Sequence, residues 1–124
     1  MTSKRKYRSL FEQDMGQVLE AEGFEYEPYK IPYWTPGNYT PDFVLGDILV
    51  EAKGYFRPGD TKKYKAIRDA LKEEGGSREL VFLLQYPGKR VRKGTKLTMS
   101  DWCEKENIEW FDIPEDVVDY ANSL

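Results

Sequence analysis

The chain is 124 residues long, with 40% hydrophobic residues, a formal net charge of −3, one cysteine and no histidine. That length and composition fit one folded domain with a real core, and no apolar run approaches the roughly 18 residues of a membrane span. The lack of histidine excludes Ser-His-Asp and Cys-His catalysis, histidine-based nuclease sites and histidine-containing zinc sites, so any hydrolytic chemistry must run on carboxylates, lysine and metal-bound water.

Residues 1–7, with Lys4-Arg5-Lys6, read as a short basic arm and lack the apolar segment of a signal peptide. The lone Cys103 can form no internal disulfide and fits a reducing cytoplasm. A helix is predicted from Ser9, a good N-cap, to Gly23, with Phe11, Met15, Val18 and Leu19 at helical spacing. Glu12 stands at the capping-box position after Ser9 and at the shoulder of that apolar stripe. A capping role and a role at a polar site are both open to it. Aromatic and polar residues alternate over 24–31, which predicts one strand. Pro32, Pro36 and Pro41 predict an extended or looped segment without regular pairing.

Phe43-Val44-Leu45 and Ile48-Leu49-Val50 then flank Gly46-Asp47, a loop of the type II′ hairpin kind. Such a loop sets Leu45 opposite Ile48, Val44 opposite Leu49 and Phe43 opposite Val50, with Asp42 opposite Glu51 one step further. Side chains alternate along a strand, so Asp42, Glu51 and Lys53 are predicted on one face at the open end of the hairpin. Two carboxylates opposed in a sheet repel each other. A divalent cation between them reverses that sign, and hard oxygen ligands suit Mg²⁺. The plain alternative is a hairpin end with its charges in water. Against it, strands apolar on both faces predict a hairpin buried on both sides.

After a loop at 54–60, a second helix is predicted over 61–74, capped by Asp60 or Thr61 and stopped by Gly75-Gly76. Tyr64, Ile67 and Leu71 form its apolar stripe; Lys65, Arg68 and Lys72 form a basic one. Asp60-Thr61-Lys62 repeats the carboxylate-x-lysine spacing, but at a helix start with no strand before it, and is set aside. Val81 to Leu84 reads as a central buried strand. A basic loop follows over 87–96. Thr98 or Ser100 caps a third helix to about Glu106, with Cys103 buried on it and Asn107 as a left-handed cap. Ile108 to Phe111 is a short strand, and Asp112 with Pro114 starts a last helix within 113–124. The element order predicts an α/β fold, a mixed central sheet flanked by helices in a single domain.

The negative net charge weighs against nucleic-acid binding, because duplex affinity comes mainly from neutralising phosphates. The charges are unevenly spread, however. Basic residues gather in 4–6, in Lys62, Lys63, Lys65 and Arg68, and from Lys89 to Lys96; acidic ones gather in 12–27 and 104–119. One basic face is a consistent reading, and so is ordinary solvated charge.

Pro41-Asp42, then eight residues, then Glu51-Ala52-Lys53 matches the PD-(D/E)xK nuclease signature. Phe24-Glu25-Tyr26-Glu27, Ile31-Pro32-Tyr33, Tyr39 to Phe43, Glu51 to Gly54, Asp60 to Lys63 with Ile67-Arg68, and Lys93-Gly94 with Trp102 to Lys105 accompany it in order. Together these segments, over about residues 7–112, resemble the phage endonuclease I family of Holliday-junction-resolving enzymes. The resemblance implies a restriction-endonuclease-like fold and a homodimer whose composite active sites exchange segments between subunits. It also implies Mg²⁺-dependent phosphodiester hydrolysis on branched DNA in the host cytoplasm, with Mn²⁺ expected to substitute. By position, Asp42 and Glu51 become metal ligands, Lys53 the catalytic lysine, and Glu12 a further active-site carboxylate that the family takes from the partner subunit. Another family glutamate falls at Glu25 or Glu27.

Two departures stand out. The segment 32–42, matching the bridge between exchanged halves, is shorter than in the family. The family's basic C-terminal tail has no counterpart, and the acidic Glu115 to Asp119 stands there instead, so weaker and more salt-sensitive DNA affinity is expected. On the leading reading Lys62, Lys63, Arg68, Lys89, Arg90, Arg92 and Lys93 contact DNA phosphates, which sets position without reading sequence. Two other readings are carried forward: a nicking or site-specific endonuclease on linear duplex, and a non-catalytic DNA-binding protein on a nuclease scaffold. The intact Asp42, Glu51 and Lys53 argue against the second.

Overall fold

The computed structural model describes residues 7, 9–32 and 38–124; the Lys4-Arg5-Lys6 arm and the middle of the proline-rich segment lie outside the described residues. Helix α1 spans Leu10–Ala21, and the Ser9 side chain accepts from the Glu12 backbone N–H at 3.0 Å. This satisfies one of the donors that a helix start leaves open. Gly16 sits mid-helix for a packing reason: a β-carbon there would come within 2.5 Å of the Tyr7 ring.

The strands are β1 (Glu25–Tyr26), β2 (Ile31–Pro32), β3 (Asn38–Tyr39), β4 (Phe43–Leu45), β5 (Ile48–Lys53), β6 (Glu79–Leu84) and β7 (Glu109–Phe111). Helices α2 (Asp60–Glu73), α3 (Met99–Lys105) and α4 (Pro114–Asn122) connect or follow them. The main sheet runs β1-β4-β5-β6-β7. Its β1, β4 and β5 pair antiparallel, while β5, β6 and β7 pair parallel. The hairpin register is as expected, with Leu45 opposite Ile48, Val44 opposite Leu49 and Phe43 opposite Val50. Gly46 turns it at φ +56°, the conformation that makes glycine the residue of choice there.

The two-residue period of the strands divides the core between two faces. Leu49, Leu80, Phe82 and Leu84 pack with Tyr64, Ile67 and Leu71 of α2 and Met99, Trp102 and Cys103 of α3. Ile48, Val50, Val81 and Leu83 pack with Leu19 of α1 and Val117 and Val118 of α4. Cys103 is buried as expected, and burial pushes its thiol up to about 12. The result is a restriction-endonuclease-like α/β fold: a five-stranded mixed sheet with helices on both sides.

Four expectations need correction. The single strand over 24–31 is broken after Tyr26, because Glu27 takes φ +44° and Pro28 has no N–H to donate. The segment expected to lack pairing has both ends paired, as β2 with β3, Ile31 against Tyr39 and Pro32 against Asn38. A two-stranded ribbon leaves one side of each strand open, and Pro32 at its end is compatible with that. Helix α2 begins one residue early: Gly59, at φ +90°, is its N-cap, and Asp60 lies inside its first turn. Helix α4 takes Ile113 as its N-cap, not Asp112, and no side chain caps it. Thr98 and Asp101 form a full capping box on α3, and Asn107 ends that region at φ +57°, as expected.

Candidate active site

Residues from α1, the β3–β4 segment, the end of β5 and the start of α2 line one cleft of about 570 Å³. Glu12, Asp42, Glu51 and Lys53 all line it. Glu51 and Lys53 share a strand face with Leu49, the face covered by α2, which is why they look toward Asp60 and Tyr64.

Asp42 is 1% exposed, and its Oδ2 accepts from the Ala52 backbone N–H at 2.9 Å. A side chain thus continues the β4–β5 pairing one step past Phe43 and Val50. Glu51 is buried too. Its Oε1 accepts from the Tyr39 hydroxyl at 2.6 Å and its Oε2 from the Tyr64 hydroxyl at 2.9 Å. Burial, then the nearby Glu51 charge, pushes both phenols above their ordinary value, so they stay donors. Lys53 Nζ lies 3.8 Å from Glu51 Oε2 and 3.5 Å from Asp60 Oδ2, and 5.2 Å from the centre of the Tyr64 ring. Asp60 Oδ2 also accepts from the Arg57 backbone N–H at 2.8 Å.

At Glu12 the cap uses only the backbone, and the carboxylate is turned to the site. Its N–H completes the Ser9 cap, while its carboxylate Oε1 accepts from the Tyr26 hydroxyl at 2.5 Å. Burial holds the Tyr26 phenol above its ordinary value. Glu12, Glu27 and Asp42 each offer a carboxylate oxygen within 4.8 Å of the others, a hard-oxygen set that fits Mg²⁺ or Mn²⁺. Glu27 is carried there by its left-handed backbone and by its N–H, which donates to the Asp42 carbonyl at 2.8 Å. Of the two glutamates left open by the sequence, Glu27 therefore reaches the site, whereas Glu25 is exposed on β1. Glu51 stands outside this trio, in the same cleft.

The expected DNA-contacting cations are dispersed. Lys63 lines the cleft, with Nζ 5.3 Å from the centre of the Tyr64 ring. Lys62 is exposed on α2. Arg68 is turned to α3, where its guanidinium bonds the Glu106 carbonyl and, at 3.0 Å, the Glu106 carboxylate. Lys89, Arg90, Arg92 and Lys93 are exposed around buried Val91, in a loop pinned by Val91 N–H to the Leu97 carbonyl at 2.9 Å and Met99 N–H to the Lys89 carbonyl at 2.7 Å.

Sequence reasoning missed Tyr26, Tyr39, Asp60 and Tyr64 as members of this site, and it left Glu27 undecided against Glu25. Tyr64 was legible as a core residue, and its position four residues after Asp60 on one helix face could have suggested that the two share surroundings. Nothing local marks Tyr39, whose partner Glu51 is brought to it by the hairpin.

A mixed sheet of this order, with Asp42, Glu51 and Lys53 gathered beside one cleft, defines a chain of the restriction-endonuclease-like class. The family model described as Phage endonuclease I matches residues 1–122, and the chain belongs to that family. It is 33% identical over 117 residues to "Endodeoxyribonuclease 1" of Enterobacteria phage T3, spanning 90% of this chain and 74% of that one. It is 34% identical over 112 residues to "Endonuclease I" of Escherichia phage T7, spanning 86% of this chain and 72% of that one. Among the described residues, no helix is long and apolar enough to cross a membrane.

Proposed function

We propose that this chain is a single-domain, divalent-metal-dependent DNA endonuclease that hydrolyses phosphodiester bonds in branched DNA such as four-way junctions. It acts as a homodimer in the cytoplasm of a phage-infected host. The observation that carries this reading is the convergence of Glu12, Asp42, Glu51 and Lys53 on one cleft, in a chain whose relatives are named as DNA-cleaving enzymes.

Asp42 and Glu51 would hold Mg²⁺, with Mn²⁺ able to replace it, and Glu12 and Glu27 extend the carboxylate set on the Asp42 side. Bound there, such a cation lowers the pKa of a water and offsets charge on the phosphoryl group. Tyr39 and Tyr64 fix the Glu51 carboxylate in one orientation. Lys53, poised between Glu51 and Asp60, orients the attacking water or offsets charge on the phosphate as it builds. Lys63 at the cleft, with Lys62 and the exposed cations of the 89–93 loop, holds phosphates without reading sequence.

The test is cleavage of a four-way junction and of its separate duplex arms in one Mg²⁺ buffer. Faster cutting of the junction is expected, and equal rates would return the linear-duplex reading. EDTA should abolish cutting and Mn²⁺ restore it. Asp42→Ala and Glu51→Ala should each cost at least about 100-fold in rate. Undiminished cleavage by either would place the chemistry elsewhere. A wild-type protein that binds DNA but cuts nothing with either metal would be a binding module on a nuclease scaffold.

A further inference from the structure

Tyr55 and Tyr86 are the most exposed aromatic side chains among the described residues, at 50% and 54%. Both follow the C-terminal ends of neighbouring interior strands, at the same end of the sheet. Strands β5 and β6 end their parallel pairing at Lys53 and Leu84, the Gln85 N–H continues it to the Lys53 carbonyl at 2.9 Å, and a tyrosine follows on each strand. Tyr55 lines the cleft that holds Glu51 and Lys53. Two cations come to its ring: Lys89 Nζ at 5.3 Å from the centroid and Arg57 Cζ at 5.9 Å.

Ring faces attract cations, but two like charges at one ring also repel each other. Among the described residues, neither is ion-paired to a carboxylate. A half-exposed ring with two such cations beside the cleft offers a flat π-surface and two positive charges at once. A nucleotide matches both, with its base on the ring and its phosphates on the cations. Bases inside a continuous duplex are already stacked on each other and are closed to such a surface. A base freed at a branch, nick or gap is open to it.

We propose that Tyr55 is a stacking platform for a nucleobase that has left the duplex stack beside the scissile phosphate, with Arg57 and Lys89 moving from its ring to the flanking phosphates. Resting on the endonuclease reading above, this narrows the substrate to DNA whose stacking is interrupted near the cut. It also predicts indifference to base identity, because every base has a π-face.

The test uses the full chain with Ca²⁺ in place of Mg²⁺ to hold back cleavage. The DNA is a four-way junction with 2-aminopurine at the branch, beside a linear duplex of the same arm sequence. The wild type should quench the 2-aminopurine fluorescence on binding. Tyr55→Leu should lose that quenching and lower the junction-to-duplex affinity ratio by roughly 5- to 150-fold, the loss typical of one base–aromatic stack. Tyr55→Trp should restore both. The half-exposed ring can be replaced without opening the core, and matched melting curves check this. A Tyr55→Leu protein that keeps the wild-type quenching and ratio overturns the platform, as does a Tyr55→Trp protein that recovers neither. Mg²⁺-driven cleavage by the same wild-type preparation separates the two readings. Cleavage with an unmoved ratio removes the platform alone, whereas a wild type that neither binds nor cuts removes the endonuclease reading and the platform with it.

Discussion

Glu51 is buried at a strand end with each carboxylate oxygen held by a different phenol, one from β3 and one from α2. A buried carboxylate without partners would be strongly disfavoured, and hydrogen bonds to a charged acceptor contribute about 1.5–3 kcal/mol each. Tyr64→Phe removes one of them and leaves the ring packing in place. Stability should fall by about 1–3 kcal/mol in urea titrations. The turnover number should fall by about tenfold or more while KM moves little, because what is lost is the orientation of Glu51 and not DNA contact. An unchanged turnover number would mean that Tyr39 alone suffices. The same pair makes a pH prediction. Both phenols have folded-state pKa values raised above the ordinary 10.0, by burial first and then by Glu51. Their contribution is fully present below the unfolded pKa. As pH rises beyond about 10, the unfolded chain sheds protons that the folded chain keeps, and stability falls. Urea midpoints should therefore drop steeply above about pH 10, and less steeply in Tyr64→Phe.

The β4–β5 hairpin carries Asp42, Glu51 and Lys53, so its turn matters out of proportion to its size. Gly46 holds φ +56° with open space where a β-carbon would go. Gly46→Ala should therefore cost only backbone strain, about 1–2 kcal/mol, seen as a lower urea midpoint, with cleavage intact wherever the protein stays folded. A larger loss, or loss of cleavage in the folded variant, would mean that the register had slipped. This hairpin was legible because a two-residue loop with glycine first and a two-residue side-chain period leave one register open to it. Helix α3 was legible for a similar reason, since Thr98, Asp101 and Asn107 carry cap chemistry in their side chains. The break after Tyr26 was not, because glutamate does not advertise a left-handed backbone, and without it the choice between Glu25 and Glu27 stayed open. Asp60 was discarded because its local context is a helix start, while its partner Lys53 reaches it from the end of β5. Helical spacing placed Arg68 on a basic stripe, yet Glu106, just past the end of α3 and 38 residues away, takes its guanidinium. Period and capping are local properties. A hydroxyl or guanidinium at the far end of a side chain is claimed by whatever the topology brings near it.

At the scale of the whole molecule, the cleft is lined by Gln85 and by two stretches, 9–32 and 38–64, which flank residues 33–37 in the chain. The first supplies Glu12 to the cleft and Glu27 to the carboxylate trio beside it; the second supplies Asp42, Glu51, Lys53 and Asp60. The Tyr26–Glu12 bond lies within the first stretch, whereas the Glu27–Asp42 backbone bond joins the first to the second. An exchange of identical elements between two copies replaces contacts within one chain by the same contacts in trans. On the homodimer proposed above, the expectation is that the sites are shared, each Glu12 serving the Asp42 and Glu51 of the other subunit. Glu12→Ala and Glu51→Ala should each be inactive alone. Mixed after unfolding and refolding together, they should recover cleavage. Random pairing makes half of the dimers mixed, and each mixed dimer carries one intact site of two, so the recovery should be about a quarter of the wild-type activity. A refolded mixture as inert as its two components would place each Glu12 in the site of its own chain.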